Sequence, residues 1–192
     1  MYEEVSTGHK ACGRVNVKFQ SNSTKEVVTW SYVANDKIKH DALARYLALT
    51  RFPFPDQNTN PKVWGETGRW PDDYVTTVNA DRKQRAIQFG GKDWYPDIVI
   101  VNGNNEVMEL CEVEMEEDIG PGTLEKWRGY AAAATTGPRG YPKLFLYVPA
   151  AKLAEAKKVL DEGKVRFAGL RTFEISDDLY MVKMNVVVTY DP

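Results

Sequence analysis

The chain has 192 residues, and 43% of them are hydrophobic. This length supports one domain with a core of its own and is short for two, so we expect a single domain over residues 1–192. Lys and Arg number 25 against 27 Asp and Glu, a formal net charge of −2, which excludes a general attraction to phosphate. Any contact with nucleic acid must therefore come from a local basic patch or from a bound metal.

The sequence carries no signal for a membrane or for an oxidising compartment. No apolar run approaches the roughly 18–20 residues that span a bilayer, and the first residues lack a basic region followed by an apolar stretch. Cys12 and Cys111 lie far apart, without the spacing of a disulfide framework or a zinc site. We predict a soluble, cytoplasmic protein with no membrane partner.

The N-terminal part of the chain predicts a hairpin, a helix and a loop, in that order. β-Branched and aromatic residues cluster in two runs within 13–33, which indicates an N-terminal hairpin. Asn35 or Asp36 can cap a helix whose apolar residues recur at helical spacing up to Phe52. Residues 53–73 show no period and are rich in Pro, Asn and Gly, which predicts a long irregular connection.

The middle of the chain predicts three strands. Residues 85–89 predict a short strand, and an apolar run predicts a buried strand over 95–101. The segment Asn102–Asn105 has the composition of a tight turn, because Asn and Gly tolerate the positive φ angles that tight reversals need. Residues 106–115 are then expected to return as the partner strand.

Helices and strands alternate in the rest of the chain. The predicted elements are a helix over 124–134 capped by Thr123, a strand over 143–149, a helix over 150–161 ended by Gly163, and strands within 165–170 and 179–189. A buried strand that follows a helix requires a crossover connection, which favours an α/β fold with a mixed sheet packed by helices.

Two carboxylates lie on the predicted hairpin, and its register decides whether they meet. With the turn centred in the middle of the loop, Val101 is expected opposite Glu106, and Asp97 opposite Leu110. Asp97 and Glu112 are then diagonal neighbours on one face, about 7–8 Å apart at the backbone, where both can ligate one cation. Ligation by oxygen alone suits Mg²⁺ or Mn²⁺ better than zinc.

Carboxylates on a hairpin often face solvent, which is the alternative interpretation. Here Asp97 opens an apolar run, and Glu112 lies between Cys111 and Val113. Acids at the ends of buried strands are costly unless they are paired, hydrogen-bonded or bound to metal. The sequence context therefore favours a metal site.

The Pro96–Asp97 pair, the hairpin after it and the Glu112–Glu114 triplet resemble the signature of the PD-(D/E)XK nuclease superfamily, and the order of the predicted elements is similar too. The resemblance implies a restriction-endonuclease-like fold with an αβββαβ core over 37–149. The N-terminal hairpin and an extension over 150–192 are added to that core. It also implies hydrolysis of DNA phosphodiester bonds with Mg²⁺ or Mn²⁺ as the cofactor.

The resemblance also implies roles for individual residues. Asp97 and Glu112 bind the metal, helped by the carbonyl of Val113. Glu114 stands where the superfamily usually has lysine, and a carboxylate does not stabilise phosphate charge as an ammonium does. Glu114 is then a general base or a ligand of a second metal, as in members with Glu-x-Glu. Alternatively the lysine has moved to Lys126 on the following helix, where an ordinary solvated lysine is the competing interpretation.

Candidate contacts to nucleic acid lie on both sides of the hairpin. The spacing of Lys126 and Tyr130 resembles the Gln-x-x-x-Tyr motif of recombination-type members of the superfamily. The candidate contacts are Arg82, Lys83, Arg85, Lys92, Arg128 and Tyr130. An ordinary mixed surface, with Tyr130 in the core, is the alternative. On the first helix, His40 and Asp41 either reach the site or are surface polar residues.

Three functions are consistent with these patterns. The first is a Mg²⁺-dependent deoxyribonuclease that acts through Asp97, Glu112 and Glu114, with Lys126 as a phosphate contact and DNA as the partner. The second is a nuclease fold that has lost turnover and binds nucleic acid or protein. The third is an assembly protein that binds another protein. The sequence leaves the strandedness of the substrate and a homodimeric state open.

Overall fold

The computed structural model describes residues 16–18, 29–31, 36–51, 73–80, 82–120, 122–175 and 182–190. Its elements, in chain order, are β1 (Asn16–Lys18), β2 (Thr29–Ser31), α1 (Asp36–Arg51), β3 (Val75–Val78), β4 (Ile87–Phe89), β5 (Lys92–Trp94), β6 (Ile98–Val101), β7 (Val107–Val113), α2 (Thr123–Ala133), β8 (Leu144–Pro149), α3 (Leu153–Gly163), β9 (Gly169–Ile175) and β10 (Val182–Thr189). A short 3-10 helix, Ala150–Lys152, leads into α3.

Six of these strands form one mixed sheet in the order β10-β9-β8-β7-β6-β3. The pairs β3–β6, β6–β7 and β9–β10 are antiparallel. The pairs β7–β8 and β8–β9 are parallel, because α2 and α3 carry the chain back across the sheet between them. The predicted α/β class with a mixed sheet and flanking helices is therefore confirmed.

The core lies in two layers, one on each face of the sheet. One layer contains α2 and α3 and centres on Val99, Leu110 and Trp127. The other contains α1, whose Leu43 and Leu47 join Ile98, Ile100 and Tyr147 of the strands. Neighbouring residues of β6 thus enter opposite layers, as the alternation of side chains along a strand requires. Because β6 is buried on both faces, its sequence is apolar at every position.

The strand predicted over 85–89 is only partly correct. Residues 87–89 form β4, but β4 pairs with β5 alone in a separate two-stranded ribbon. The first strand of the main sheet after α1 is instead β3, within a stretch that shows little periodicity. The ribbon packs on α2, where a Cβ at Gly129 would lie 2.8 Å from Phe89 Cδ1. Glycine at position 129 therefore allows the close approach.

The remaining predictions of secondary structure differ mainly at the ends of elements. The N-terminal hairpin is confirmed in its strands, since β1 pairs antiparallel with β2. The irregular connection over 53–73 lies outside the described residues, except for Asp73. Thr123 does not cap α2, because Gly122 is its N-cap residue. The Thr123 hydroxyl instead donates to the carbonyl of Asp118 and accepts from the amide of Gly120.

The helices in the described part of the chain are amphipathic or short. None of them combines the length and the apolar character needed to cross a membrane.

Candidate functional site

The two carboxylates of the β6–β7 hairpin lie directly across from each other. Ile98 pairs with Cys111, so the same register continues to Asp97, just before β6, and Glu112 of β7. The backbone amide of Asp97 donates to Glu112 Oε2 (3.1 Å), and the amide of Val113 donates to Asp97 Oδ2 (2.7 Å). The two side chains are therefore bonded reciprocally to the opposite strand.

The predicted register of this hairpin was wrong. Val101 pairs with Val107 and not with Glu106, and a bulge then shifts the rest of β7, so that Val99 and not Asp97 faces Leu110. The predicted partner of Asp97 is therefore two residues away from the observed one. Because side chains alternate with a period of two, Asp97 and Glu112 still share a face, as direct rather than diagonal partners.

The site carboxylates are buried, which excludes the solvent-facing alternative. Asp97 is 7% exposed, Glu112 5% and Glu114 1%. Lys126 reaches them from the first turn of α2. Its ammonium lies 2.9 Å from Glu112 Oε1 and 2.7 Å from a carboxylate oxygen of Glu114. The predicted lysine of the following helix is thus placed beside the acidic pair.

Glu114 is bonded on both of its oxygens. Trp127 Nε1 donates to Oε1 at 2.7 Å, and Lys126 donates to Oε2 at 2.7 Å. Burial raises the pKa of Glu114, while Lys126 and the indole donor oppose that rise. Glu114 therefore fixes two consecutive residues of α2 against the end of β7.

Electrostatics couple the cluster tightly. Burial, together with the neighbouring charge of Asp97, raises the pKa of Glu112 well above its usual range, although Lys126 opposes the shift. Burial lowers the pKa of Lys126, but Glu112 and Glu114 outweigh it and raise the pKa overall. The Lys126 ammonium, in contact with both glutamates, compensates part of the negative charge that the strands concentrate.

His40 of α1 completes the cluster from the other side. Its Nε2 lies 3.1 Å from Asp97 Oδ1, and its Nδ1 lies 3.1 Å from Asp41 Oδ1. Lys37 in turn donates to Asp41 Oδ2 at 2.6 Å. The sequence left two interpretations of His40 open, a residue that reaches the site and a polar residue of the surface. Its spacing of three and seven residues from Leu43 and Leu47 is the signal that places it on the inner face of α1.

Asn79 is a second residue of this region that the sequence did not single out. Its side-chain amide donates to the carbonyls of Arg85 (2.8 Å) and Pro96 (2.6 Å), and its backbone amide donates to the carbonyl of Asp97 (2.8 Å). Asn79 therefore fixes the backbone at Pro96 and Asp97, just before β6 begins.

We expect the free energy of unfolding to fall as the pH rises from about 6.5 to about 9. Burial lowers the pKa of His40, but the hydrogen bond and charge of Asp97, with Asp41 and Glu112, raise it to about 9. The unfolded imidazole loses its proton near pH 6.5, so the stabilisation is complete below that value and is lost through pH 9. The loss should be on the order of 3 kcal/mol. Urea unfolding at several pH values, in chelator, measures it.

The control for this pH dependence is His40→Gln, because glutamine does not titrate at position 40. The decline between pH 6.5 and 9 should be smaller in this variant, and the part that remains belongs to Glu112, whose pKa is also raised. An equal decline in both proteins would contradict the assignment to His40.

The donor set at Asp97 and Glu112 fits a hard divalent cation as a partial site. Among the residues that the structure describes, no group of three or more His, Cys, Asp or Glu side chains is arranged to hold a metal ion. Mg²⁺ often binds through only one or two carboxylates, with water and substrate phosphate as the other ligands. Two buried carboxylates that face each other across a strand pair meet that requirement.

The predicted nucleic-acid contacts divide into two groups. Arg82, Lys83, Arg85 and Lys92 lie on the β4–β5 ribbon and the segment before it, and three of the four are exposed. Lys83 lies over the ring of Tyr95 and Lys92 over that of Trp94, with the ammonium groups 4.8 and 5.8 Å from the ring centroids. This ribbon therefore presents basic and aromatic groups together.

The two candidate contacts on α2 differ in exposure, since Arg128 is exposed and Tyr130 is buried. Arg128 donates to the carbonyl of Gly163 through Nη2 (3.0 Å) and Nε (3.3 Å), so it binds the last turn of α3. Tyr130 is 1% exposed and belongs to the core, which corrects its prediction as a nucleic-acid contact. Burial, together with the charges of Glu112 and Asp97, raises the pKa of Tyr130.

Comparison with protein-family models, with curated proteins and with solved structures finds no significant match. The class that the fold and the site define is a mixed α/β protein with a buried cluster of carboxylates, a lysine and a histidine at one end of its central strands.

Proposed function

We propose that this chain is a metal-dependent deoxyribonuclease that hydrolyses phosphodiester bonds at the Asp97–Glu112 site. The observation that carries the proposal is the position of Lys126, whose ammonium lies 2.9 Å from Glu112. Two carboxylates on facing strands and a lysine beside them are the functional groups of the PD-(D/E)XK signature. Here the lysine comes from α2 and not from β7. The restriction-endonuclease-like fold is part of this proposal.

The predicted order of elements also supports the proposal. With the separate β4–β5 ribbon left out, α1, β3, β6, β7, α2 and β8 give one helix, three strands, one helix and one strand, which is the αβββαβ order. The proposed carboxylates lie at the end of β7 and beside the start of β6, so the hairpin and α2 together build the site.

Asp97 and Glu112 would hold the cation, with the carbonyl of Val113 as a further oxygen. When bound, Mg²⁺ or Mn²⁺ supplies a Lewis acid for the phosphoryl group and a more acidic water. Lys126 would hold the attacking water or a phosphate oxygen by a charge-assisted hydrogen bond. In this proposal Glu114, the most buried of the three carboxylates and bonded to both Lys126 and Trp127, supports Lys126 and is neither the base nor a ligand of a second metal.

DNA is the proposed substrate because of the β4–β5 ribbon. Lys92 of the ribbon and Lys83 of the segment before it are exposed and lie over aromatic rings, and surfaces with basic and aromatic groups bind phosphates and stack on bases. Within the ribbon, Lys92 is also paired with Glu125 of α2 at 3.1 Å. Exposed pairs of this kind are weak, so phosphate can replace the carboxylate as the partner of Lys92.

Asp97→Ala should abolish both Mn²⁺ binding and cleavage of DNA. One remaining carboxylate holds Mg²⁺ or Mn²⁺ poorly without substrate, and the variant also removes the acceptor of the Val113 amide. Calorimetric titration with Mn²⁺ and incubation with labelled single- and double-stranded DNA test the two effects. The matched control is Asp93→Ala, which removes an exposed aspartate that accepts a hydrogen bond from the Gln88 side chain. Equal Mn²⁺ affinity in wild type and Asp97→Ala would contradict the site.

The second candidate function is a nuclease fold without turnover that binds nucleic acid or protein. It is favoured by one observation: each of the six carboxylate oxygens of Asp97, Glu112 and Glu114 already has a protein partner. A cluster that is satisfied internally can be a structural remnant. Retention of DNA on a gel, with no cleavage in either Mn²⁺ or Mg²⁺, would select this candidate.

A further inference from the structure

The imidazole of His40 bridges two carboxylates that belong to different elements. Asp41 is its neighbour on α1, whereas Asp97 precedes β6. The contacts to the two aspartates are both 3.1 Å, one at each ring nitrogen. The His40 side chain is 21% exposed and that of Asp97 10%, so the bridge lies at the margin of the core.

We propose that His40, held by Asp41, is a positioning residue that fixes the orientation of the Asp97 carboxylate. The benefit of this orientation rests on the proposed function, because a cation at this site requires an oriented Asp97 carboxylate. The orientation of Asp97 by His40 does not depend on that function.

The orientation of Asp97 depends on two donors. The amide of Val113 binds Oδ2 at 2.7 Å, and His40 contacts Oδ1 at 3.1 Å. One donor alone leaves the carboxylate able to rotate about its Cβ–Cγ bond, since that torsion is broad for aspartate. Two donors on opposite oxygens hold its plane.

The ring of His40 is itself held in place. An ionised carboxylate accepts hydrogen bonds and does not donate them, so Nδ1 of His40 donates to Asp41. Lys37 holds the other oxygen of Asp41. This chain of contacts fixes the plane of the imidazole and directs Nε2 towards Asp97. In metal sites, mutation of a residue that holds a ligating side chain in this way typically lowers metal affinity or activity by about 10–100-fold.

The orientation itself is tested by hydrogen exchange of the Val113 amide, measured by NMR in the metal-free protein. His40→Ala should raise the ratio of the Val113 exchange rate to the Leu110 exchange rate by about tenfold, because the bond of Val113 to a charged acceptor weakens. Leu110 lies on the same strand and donates to the carbonyl of Lys143 at 2.9 Å, so it reports global opening. His40→Gln, whose amide can still donate to Asp97, should keep the wild-type ratio. An unchanged ratio in His40→Ala overturns the proposal.

Calorimetric titration with Mn²⁺ tests the consequence for the cation. His40→Ala should bind Mn²⁺ about 10–100-fold more weakly than wild type, and His40→Gln should bind within a few fold of it. Nitrogen coupling in the electron spin echo spectrum of the Mn²⁺ complex would show direct ligation by His40 and would overturn the positioning role. If the wild type binds no Mn²⁺, the proposed function fails, and the Val113 exchange ratio still decides whether His40 orients Asp97.

Discussion

Lys126→Met should lower the rate of DNA cleavage by about 10²–10³-fold, the range found when one electrostatic donor is removed from an active site. The ammonium lies 2.9 Å from Glu112 and 2.7 Å from Glu114, and methionine keeps the unbranched chain up to Cε without the charged group. Initial rates on labelled DNA with Mn²⁺ measure the effect. Circular dichroism at the assay temperature is needed beside them, because two buried carboxylates lose their common partner.

The matched control for Lys126 is Lys92→Met, since Lys92 is paired with Glu125 at the surface. This variant should weaken DNA binding and leave the rate at saturating DNA nearly unchanged.

The double variant Glu114→Lys with Lys126→Glu exchanges the two charges and places lysine in the usual position of the superfamily motif. The double variant should be more active than either single variant. Full activity of a folded Lys126→Met protein would contradict the role of Lys126.

Trp127→Ala should lower the free energy of unfolding by about 3–5 kcal/mol, the cost of removing a large aromatic side chain from a core. Trp127 is fully buried between α2 and the sheet. The change also removes the indole donor of Glu114, a buried acceptor whose loss of a partner adds to the cost. Urea unfolding followed by circular dichroism measures the difference.

Two variants separate the contributions of Trp127. Trp127→Phe keeps most of the ring and removes the donor, so it should cost about 1–3 kcal/mol. Trp94→Ala is the matched control, because Trp94 is only partly buried and lies on the β4–β5 ribbon. If Trp94→Ala destabilised the protein as much as Trp127→Ala, the layer between α2 and the sheet would not be the main core.

The elements that local patterns define were predicted well. The apolar residues of α1 recur at helical spacing, and β6 and β8 are uninterrupted apolar runs with turn residues beside them. Such patterns depend on neighbours within a few positions, so they can be predicted from a single sequence. The register of the β6–β7 hairpin was not predicted, because an extra residue of β7 at the bulge next to Val101 shifts the pairing, and no local sequence pattern marks it.

The sequence by itself determined the mixed α/β class and the need of Asp97 and Glu112 for partners, since acids beside buried strands need a partner wherever the strands lie. Only the tertiary structure decided what the partners are. Lys126 comes from α2 and His40 from α1, and both reach the carboxylates because the helices cover opposite faces of the sheet near the same strand ends. Contacts between residues 12 to 57 positions apart depend on helix packing, which no local pattern records.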